Sequence, residues 1–443
     1  MADVRSALPV RTLPGVVPLD LGRRAPAAFA AEWTDFGRPF TAAHPGYAWI
    51  KPALLPVLVP QSTADALYRA TQQALAAVGA VVRRRMRRQP ADTLRALGYD
   101  PAQTAWLSGL AETIELESTS AFARADFVLG AEGARLVELN VGPTVGGLGI
   151  LDRYAEAFDA TVARLEPAWA GRLRTDRPGE AWARCLHRFA SATATPGRPV
   201  RMALVVADDE RAVPHPYEAA HFLRAEGIEA QVVPVGDVRF DGAVDLVYGC
   251  FTFDQFTDER HRAFTDSALA AQAAGGPSYL SAPLFTLLGN KKTLAWAAEE
   301  LPAQVAETDD ADAGALDRAR AHPERYVLKP ALGYGGKGVV IGATATREQW
   351  HAALESARHA PAAYVLQRYV PPVPLRMPTP SVPTGYDIGI GCIVFGGEPA
   401  GLLVRHVAGG SAGPINVAQG ATFGGACVLP DDEVATWING GTP

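Results

Sequence analysis

The stretch that decides the fold is Tyr326–Gly342, YVLKPALGYGGKGVVIG. Tyr326–Leu328 and Val339–Ile341 are predicted to be short strands, because apolar residues bounded by glycine and proline are typical of strands. Between them lie four glycines and a lysine: Gly333, Gly335, Gly336, Lys337 and Gly338. Because glycine has no Cβ, such a loop can bring backbone N–H groups against a polyphosphate. Lys329, at the end of the first strand, can place a cation on the same phosphates.

Three known glycine-rich motifs fail on this loop. Gly333-x-Gly335-x-x-Gly338 has the spacing of a dinucleotide-binding loop, but that motif opens a helix and here a strand follows. A P-loop requires Ser or Thr after its lysine, whereas Gly338 follows Lys337. A protein-kinase loop is excluded because the chain has no His-Arg-Asp catalytic motif. The glycines alone also fit a plain hairpin, and the preceding Lys329-Pro330 favours the nucleotide interpretation.

The composition excludes several classes of function. A chain of 443 residues is long enough for about three domains. Its content of 48% hydrophobic and 20% charged residues is ordinary for a globular protein. A net charge of −6 gives no general attraction to nucleic acid. The sequence contains no run of about 18 apolar residues, so no membrane span is predicted. The four cysteines are widely spaced without a CxxC pair, which argues against a zinc site or disulfide framework and favours a reducing, cytoplasmic location.

The first 60 residues are rich in proline and aromatic residues with weak periodicity, which predicts an irregular arm packed against the body. A helix is predicted from Thr63 to Arg88, with Ser62 and Asp65 forming a near capping box. Five arginines lie at its end: Arg83, Arg84, Arg85, Arg87 and Arg88. Cations near a helix C-terminus complement the helix dipole, so this cluster is interpreted as a solvated helix end rather than a nucleic-acid patch.

A hairpin that could bind a metal ion is predicted from two strands, Arg124–Leu129 and Arg135–Leu139. Glu138 and Asn140 are two residues apart and therefore project from the same face. Asp126 lies on the partner strand, twelve residues before Glu138. These three side chains would supply the hard oxygen ligands that suit Mg²⁺ bridging nucleotide phosphates. The alternative is a set of ordinary surface carboxylates.

Strand and helix alternate from about residue 201 to residue 282. Apolar strands are predicted at Met202–Val206, Ala230–Val235 and Val244–Tyr248, with a helix over Pro216–Ala225 between the first two. This order predicts a small α/β unit with parallel strands. The unit contains no glycine fingerprint, so it is not expected to hold a cofactor.

Further polar residues fall on later elements. Lys291 lies in a helix predicted to start near Asn290, and Gln367 lies midway along the predicted strand Tyr364–Val370. The proline-rich stretch Pro371–Pro383 is predicted to be a loop.

The last predicted hairpin carries an acidic and a basic residue. Its strands, Asp387–Phe395 and Ala400–Val407, turn at Gly396-Gly397. The register of such a hairpin places Asp387 and Arg405 near the same end of the sheet.

Together these pieces resemble the circularly permuted branch of the ATP-grasp ligases, typified by the synthetase domain of glutathionylspermidine synthase. An ordinary ATP-grasp enzyme places its metal strand after its nucleotide lysines, whereas here Glu138 precedes Lys329. The resemblance covers about residues 120–425 and rests on these matches: Arg124-x-Asp126 with Glu138-x-Asn140, Asn290-Lys291, Lys329 with the loop Gly333–Gly338, Val365–Gln367, and Arg405 followed by Asn416.

Two departures from that family limit what carries over. No amidase segment with a catalytic Cys and His is evident, so only the synthetase activity is implied. The family often has an acidic, threonine-rich sequence after its Glu-x-Asn, whereas this chain has Val141–Thr144, VGPT. The identity of the substrate is therefore left open.

The resemblance implies an α/β (α+β) ATP-grasp fold in circularly permuted order, with a small Rossmann-like lobe. A sheet depends on neighbours in space rather than on chain order, so one site can be assembled either way. The expected division is an irregular arm over 1–60, a helical segment with the metal-binding hairpin over 61–195, the α/β lobe over 196–285, the nucleotide-binding half over 286–430, and a tail over 431–443.

The resemblance also implies ATP and Mg²⁺, with two metal ions, as cofactors. ATP is expected between two lobes, with its adenine near Gln367 and its phosphates under the glycine loop. The implied roles are nucleotide binding for Lys291, Lys329, Gly335, Gly336, Lys337 and Gln367, metal binding for Asp126, Glu138 and Asn140, and stabilisation of the substrate carboxylate and the transferring phosphoryl group for Arg124 and Arg405.

The implied activity is that of an ATP-dependent carboxylate–amine ligase, which forms an amide through an acyl phosphate and releases ADP and phosphate. Its expected partners are a small carboxylate and a small amine, with neither nucleic acid nor membrane, and the sequence indicates no oligomeric state. Two alternatives are a kinase that stops at a phosphorylated product and a nucleotide-binding protein without catalysis. The intact set Asp126, Glu138 and Asn140 argues against the second, because a simple binder needs no metal cage.

Overall fold

The computed structural model describes residues 17–18, 26–36, 50–110, 122–143, 145–147, 149–191, 193–210, 214–252, 255, 258–280, 283–301, 303–377, 384–411 and 413–438. The prediction of a mixed α/β protein is confirmed.

The strands, in chain order, are β1 (Val17–Pro18), β2 (Val57–Pro60), β3 (Phe122–Gly130), β4 (Gly133–Val141), β5 (Val200–Val206), β6 (Ile228–Pro234), β7 (Leu246–Gly249), β8 (Ser278–Leu280), β9 (Thr308–Asp310), β10 (Tyr326–Pro330), β11 (Val340–Ile341), β12 (Tyr364–Arg368), β13 (Leu375–Met377), β14 (Thr384–Phe395), β15 (Glu398–Ala408) and β16 (Thr422–Leu429).

The α-helices are α1 (Pro26–Asp35), α2 (Gln61–Arg88), α3 (Pro90–Ala96), α4 (Pro101–Leu110), α5 (Ile150–Leu165), α6 (Pro178–Ala190), α7 (Pro214–Ala225), α8 (Glu259–Ala273), α9 (Phe285–Leu288), α10 (Lys292–Trp296), α11 (Ala313–Ala321), α12 (Arg347–His359) and α13 (Asp431–Ile438).

A large mixed sheet forms the body of the protein. Within the described residues it has eight strands in the order β1-β2-β16-β15-β14-β3-β4, with β13 paired to β14. Its neighbouring strands are antiparallel except for β16 and β2, which are parallel. Helices α2, α5 and α6 pack against it. Because β14 pairs with both β3 and β15, the two predicted polar hairpins become one continuous surface.

A smaller antiparallel sheet, in the order β11-β10-β12-β9, carries the glycine loop. Leu328 and Leu366 are register partners and pack with Trp350 against helices α11 and α12 in a separate apolar core. Side chains alternate along a strand, so Lys329 and Gln367 project from the opposite face. That face points toward the large sheet.

The third sheet is parallel, in the order β6-β5-β7-β8, and confirms the predicted parallel strands between residues 201 and 282. Helix α7 connects β5 to β6, and α8 connects β7 to β8. The wider description of this region as a Rossmann-like lobe remains a prediction.

The prediction of an irregular arm over residues 1–60 is wrong for part of that segment. Residues Pro26–Asp35 form a helix, and Val57–Pro60 form a fully buried strand of the large sheet. The strand pairs in parallel with β16, near the other end of the chain. The large sheet thus takes strands from three of the five predicted segments, and the domain boundaries remain predictions.

The predicted capping box at Ser62 and Asp65 is also wrong. Strand β2 runs directly into α2, so Pro60 occupies the N-cap position and Ser62 already lies in the first turn. The backbone N–H of Ser62 instead donates to Asp431 Oδ1 at 3.0 Å. Asp431 opens helix α13, which occupies most of the segment predicted to be a tail.

Two other local predictions differ from the structure. The arginine-rich end of α2 is not only solvated, because Arg85 lies 4.0 Å from the centre of the Trp296 ring and Arg84 pairs with Glu300 at 3.4 Å. The proline-rich segment predicted as a loop contains strand β13, which pairs with the start of β14. Residues 378–383 of that segment lie outside the described residues.

Two broader expectations concerned disulfides and membrane-spanning helices. All four cysteines, Cys185, Cys250, Cys392 and Cys427, are buried, and none of them forms a disulfide. Across the ranges that the structure describes, every helix is too short or too polar to reach across a bilayer.

Candidate active site

A cavity of about 130 Å³ lies between the small antiparallel sheet and the large sheet, below the glycine loop. We call it the first cavity. Eight of the eleven predicted site residues line it: Asp126, Glu138, Lys291, Lys329, Gly336, Lys337, Gln367 and Arg405. Arg124, Asn140 and Gly335 do not. The fold therefore brings residues from distant parts of the sequence to one cavity.

The glycine loop takes backbone conformations that other residues rarely adopt. Gly335, Gly336 and Gly338 have φ angles of 69°, 73° and 70°. A Cβ on Gly336 would lie 2.8 Å from Pro414, so only glycine fits there without displacement. The carbonyl of Gly335 accepts a hydrogen bond from Gln419 Nε2 at 3.3 Å. This contact ties the loop to the segment between β15 and β16.

Lys329 is fixed deep in the first cavity. Its Nζ donates to Gln367 Oε1 at 2.7 Å and to the carbonyl of Val137 at 2.9 Å. Burial lowers the pKa of Lys329 to about 8; the carboxylate of Glu138 offsets part of this effect, and the charge of Lys291 adds to it. The ammonium is thus held without a carboxylate in direct contact, which leaves its charge available to an anionic ligand.

Gln367 does not have the free amide group expected for a residue that binds adenine. Its Oε1 accepts from Lys329, and its Nε2 donates to Thr308 Oγ1 at 2.9 Å. Both ends of the buried amide are therefore occupied within the protein. In this structure Gln367 positions Lys329.

Lys291 links the glycine loop to the predicted metal hairpin. Its Nζ lies 3.0 Å from Glu138 Oε1 and donates to the carbonyl of Gly333 at 3.0 Å. Burial would raise the pKa of Glu138, but the charges of Lys291 and Lys329 together keep it below its ordinary value. Glu138 is therefore an anion between two lysines.

Asp126 is the centre of a buried ion cluster. It accepts from Arg124 Nε at 2.7 Å, Arg124 Nη2 at 3.0 Å, Arg405 Nη2 at 2.5 Å and Asn140 Nδ2 at 3.1 Å. Burial alone would raise the pKa of Asp126, but the two guanidinium groups hold it below the usual range. Asp126 is therefore charged, and it orients both arginines.

The two predicted catalytic arginines occupy different environments. Arg124 is engaged within the protein, since Nε and Nη2 bind Asp126 and Nη1 donates to the carbonyl of Val145. It does not reach the first cavity, because Asp126, two residues along the same strand face, binds its guanidinium first. The predicted contact of Arg124 with a substrate therefore differs from the arrangement found.

Arg405 does line the first cavity. Its Nη2 binds Asp126, its Nη1 donates to the carbonyl of Ile415 at 3.5 Å, and its Nε has no hydrogen-bond partner among the described residues. An unused donor on a buried cation is costly unless a ligand oxygen completes it. Arg405 is thus the arginine best placed to bind an anion in this cavity.

The residues present fit Mg²⁺ in their chemistry, through two ligands rather than three. Asp126 and Glu138 are register partners on β3 and β4, and both carboxylates line the first cavity. Asn140 holds Asp126 through Nδ2 and faces a neighbouring cavity instead. In the described part of the chain, no three residues of the types His, Cys, Asp and Glu group as a metal site. Mg²⁺ typically binds one or two carboxylates together with substrate phosphates. Each oxygen of Asp126 already accepts two hydrogen bonds, so Glu138 is the better placed of the two ligands, and Asp126 would join it only by giving up one of its present partners.

Asp387 lies in the site, although no role there was predicted from the sequence. It is buried and lines the first cavity; Oδ2 accepts from the Gly410 backbone N–H at 3.2 Å, and Oδ1 has no partner within the described ranges. Burial raises the pKa of its carboxyl group. Its position at the sheet's end was predictable, but a single acidic residue without a spacing partner gave no signal of a binding role.

No protein-family model matches the chain, and neither does any curated protein sequence. Among solved structures, the chain is similar to a glutathione synthetase-like effector from Globodera pallida, with a TM-score of 0.57, 12% identity, and coverage of 91% of this chain and 98% of that one. The likeness shows a shared fold. The ATP-grasp architecture and its circularly permuted order remain predictions from the sequence.

Two weaker likenesses are to D-cycloserine synthetase and to a structure described as a gamma-glutamylcysteine synthetase from Methylobacillus flagellatus. The first has a TM-score of 0.28 and 24% identity over 38% of this chain and 59% of that chain. The second has a TM-score of 0.38 and 10% identity over 80% of this chain and 88% of that chain. Neither TM-score is high enough to support an argument about this protein.

Proposed function

We propose that this protein is an ATP-dependent carboxylate–amine ligase, which forms an amide through an acyl phosphate and releases ADP and phosphate. The observation that carries the proposal is the first cavity, where Lys291, Lys329 and Arg405 meet Asp126 and Glu138 below a glycine loop. A fold shared with a protein described as glutathione synthetase-like supports a synthetase of small molecules. The circularly permuted ATP-grasp order belongs to the same proposal.

The nucleotide would occupy the first cavity with its phosphates beneath the loop. Lys329 and Lys291 would bind phosphate oxygens, and backbone N–H groups around Gly336 would add further donors. Mg²⁺, held by Asp126 and Glu138, would neutralise charge on the phosphates. The loop would exclude water from the reacting groups.

The reaction would proceed in two steps, phosphorylation of the carboxylate and formation of the amide. A substrate carboxylate oxygen attacks the γ-phosphorus of ATP, the bond from that phosphorus to the β-γ bridging oxygen breaks, and ADP leaves. Arg405 stabilises the negative charge on the transferring phosphoryl group, and Arg124 keeps Asp126 oriented beside it. The amine nitrogen then attacks the acyl carbon, phosphate leaves with the former carboxylate oxygen, and the nitrogen gives up a proton.

Product analysis with hydroxylamine tests this proposal. Wild-type protein is incubated with ATP, Mg²⁺ and a panel of carboxylates, with hydroxylamine as the nucleophile. We expect a hydroxamate and ADP in equal amounts from the accepted carboxylate, because hydroxylamine intercepts the acyl phosphate. A kinase would produce ADP with a stable phosphorylated product and no hydroxamate, and either that outcome or no nucleotide turnover with any carboxylate would contradict the proposal.

A further inference from the structure

A second cavity of about 160 Å³ adjoins the first. It shares Gly333 and Tyr334 of the glycine loop with the first cavity. It begins at Asn140, two residues beyond Glu138 on the same face of β4, which corresponds to about 7 Å along the strand. A small molecule that reacts beside Glu138 can therefore extend one substituent into the second cavity.

The described walls of the second cavity are mostly apolar and uncharged. Val141, Val145, Phe285 and Leu332 contribute carbon surface, and none of the described lining residues is charged. Phe285 packs against the backbone of Gly142, where a Cβ would overlap its ring. The ring is therefore held in one place as a wall of the cavity.

The two threonines of this cavity are already engaged within the protein. Thr286 Oγ1 accepts from Tyr99 Oη at 2.8 Å and donates to the carbonyl of Pro283 at 2.9 Å. Thr252 Oγ1 donates to Gln255 Oε1 at 3.3 Å. With their hydroxyl protons used, the two threonines add little that would favour a charged ligand.

The ion cluster of Asp126 connects the two cavities. Asp126 binds Arg405 on the side of the first cavity and Asn140 on the side of the second. Arg124 spans the same boundary, since its guanidinium binds both Asp126 and the carbonyl of Val145. Arg405, which among the described residues has a free donor for an anion, thus lies at one end of a path whose other end is mostly apolar.

We propose that the second cavity receives an apolar substituent of the carboxylate substrate, so that the protein selects acids with a branched alkyl or phenyl group. This inference rests on the proposed ligase function. The volume agrees with it, because a protein cavity of about 150 Å³ lined by apolar side chains binds benzene. A cationic amine fits less well, since the described lining offers no carboxylate to pair with an ammonium group.

Binding measurements test the proposal without requiring turnover. The dissociation constants of 4-methylpentanoate and 3-phenylpropanoate are compared by calorimetry with those of butanedioate and 4-aminobutanoate. Each titration uses wild-type protein saturated with Mg²⁺ and the β,γ-imido analogue of ATP. We expect the two apolar acids to bind at least about tenfold more tightly than the two charged ones, the size of effect that apolar pockets produce.

Variants of Leu332 test whether the second cavity causes the tighter binding of apolar acids. Leu332→Trp should fill the cavity and weaken 3-phenylpropanoate binding by roughly tenfold or more, while Leu332→Ala should enlarge it and shift the preference toward the larger acid. Leu269→Ala is the matched control, because Leu269 is a partly buried leucine on α8 that lines neither cavity. It should leave all four constants within about twofold, as expected for a distant site.

The possible outcomes separate this inference from the proposed function. Tighter binding of the charged acids, or equal effects of Leu332→Trp and Leu269→Ala, would overturn the inference and leave the ligase intact if hydroxamate still forms. A preference for 2-phenylethylamine over 4-aminobutanoate that disappears in Leu332→Trp would assign the cavity to the amine and overturn the inference as well. Failure to bind any acid, together with no hydroxamate, would overturn both.

Discussion

Replacing Lys329 with methionine is expected to weaken ATP binding by about 100-fold and to abolish turnover. Hydrogen bonds to a charged group contribute about 1.5–3 kcal/mol each, and 1.4 kcal/mol corresponds to about a tenfold change in affinity. Lys329 is held by Gln367 and Val137 with no carboxylate in direct contact, so its charge is available to a phosphate. Methionine has an unbranched side chain of similar length that lacks the ammonium group.

Calorimetric titration with ATP measures this effect, with Lys292→Met as the matched control. Lys292 is also a buried lysine, and its Nζ pairs with Asp310 at 2.6 Å, but it does not line the first cavity. The control should bind ATP as the wild type does. Unchanged affinity in Lys329→Met, or equal losses in the two variants, would contradict the phosphate role of Lys329.

The two carboxylates of the first cavity should differ sharply when each is neutralised. Glu138→Gln is expected to reduce turnover by about 1000-fold or more because it removes a ligand charge, and to lower the unfolding free energy less than Asp126→Asn does, because it leaves only Lys291 without its paired carboxylate. Asp126→Asn should lose turnover and also lower the unfolding free energy by about 3 kcal/mol or more. It leaves Arg124 and Arg405 buried without their shared counter-charge.

Denaturant unfolding and ADP release at several Mg²⁺ concentrations measure both effects. Glu132→Gln serves as the control, because Glu132 is an exposed carboxylate at the turn of the same hairpin and lies outside the cavity. It should change neither quantity. Wild-type turnover in Glu138→Gln at limiting Mg²⁺ would contradict the metal role, and wild-type stability in Asp126→Asn would contradict the ion cluster.

The sequence was informative wherever chemistry depended on local spacing. The strands on either side of the glycine loop, the hairpin of Asp126 and Glu138, and the parallel unit after residue 200 could all be predicted from apolar patterns and turn residues. These features depend on neighbours in the chain. The structure accordingly differs from them by only a few residues at each end.

Partner choice within the site could not be predicted in the same way. Arg124 was expected to meet a substrate and Gln367 to meet adenine, yet both bind other protein groups. Which of several nearby acceptors takes a given donor depends on three-dimensional distances that the sequence does not contain. The same is true of Asn140, whose amide turns toward Asp126 and the second cavity.

Pairing between strands that are far apart in the sequence could not be predicted either. Strand β2 is only four residues long, and its place in the large sheet depends on β16, more than 300 residues away. The apolar run VLV between Pro56 and Pro60 was visible in the sequence, but nothing in it indicated that partner. The contact of Ser62 with Asp431 could not be predicted for the same reason, because these residues are also far apart in the sequence.

Transfer of an oxygen isotope tests the acyl-phosphate mechanism most directly. The accepted carboxylate is labelled with ¹⁸O, and the wild-type protein converts it to amide with ATP and an amine. We predict that one ¹⁸O per turnover appears in the released inorganic phosphate, because the carboxylate oxygen that attacks the γ-phosphorus leaves with it. Recovery of the label in AMP, or its retention in a phosphorylated product without labelled free phosphate, would contradict the mechanism.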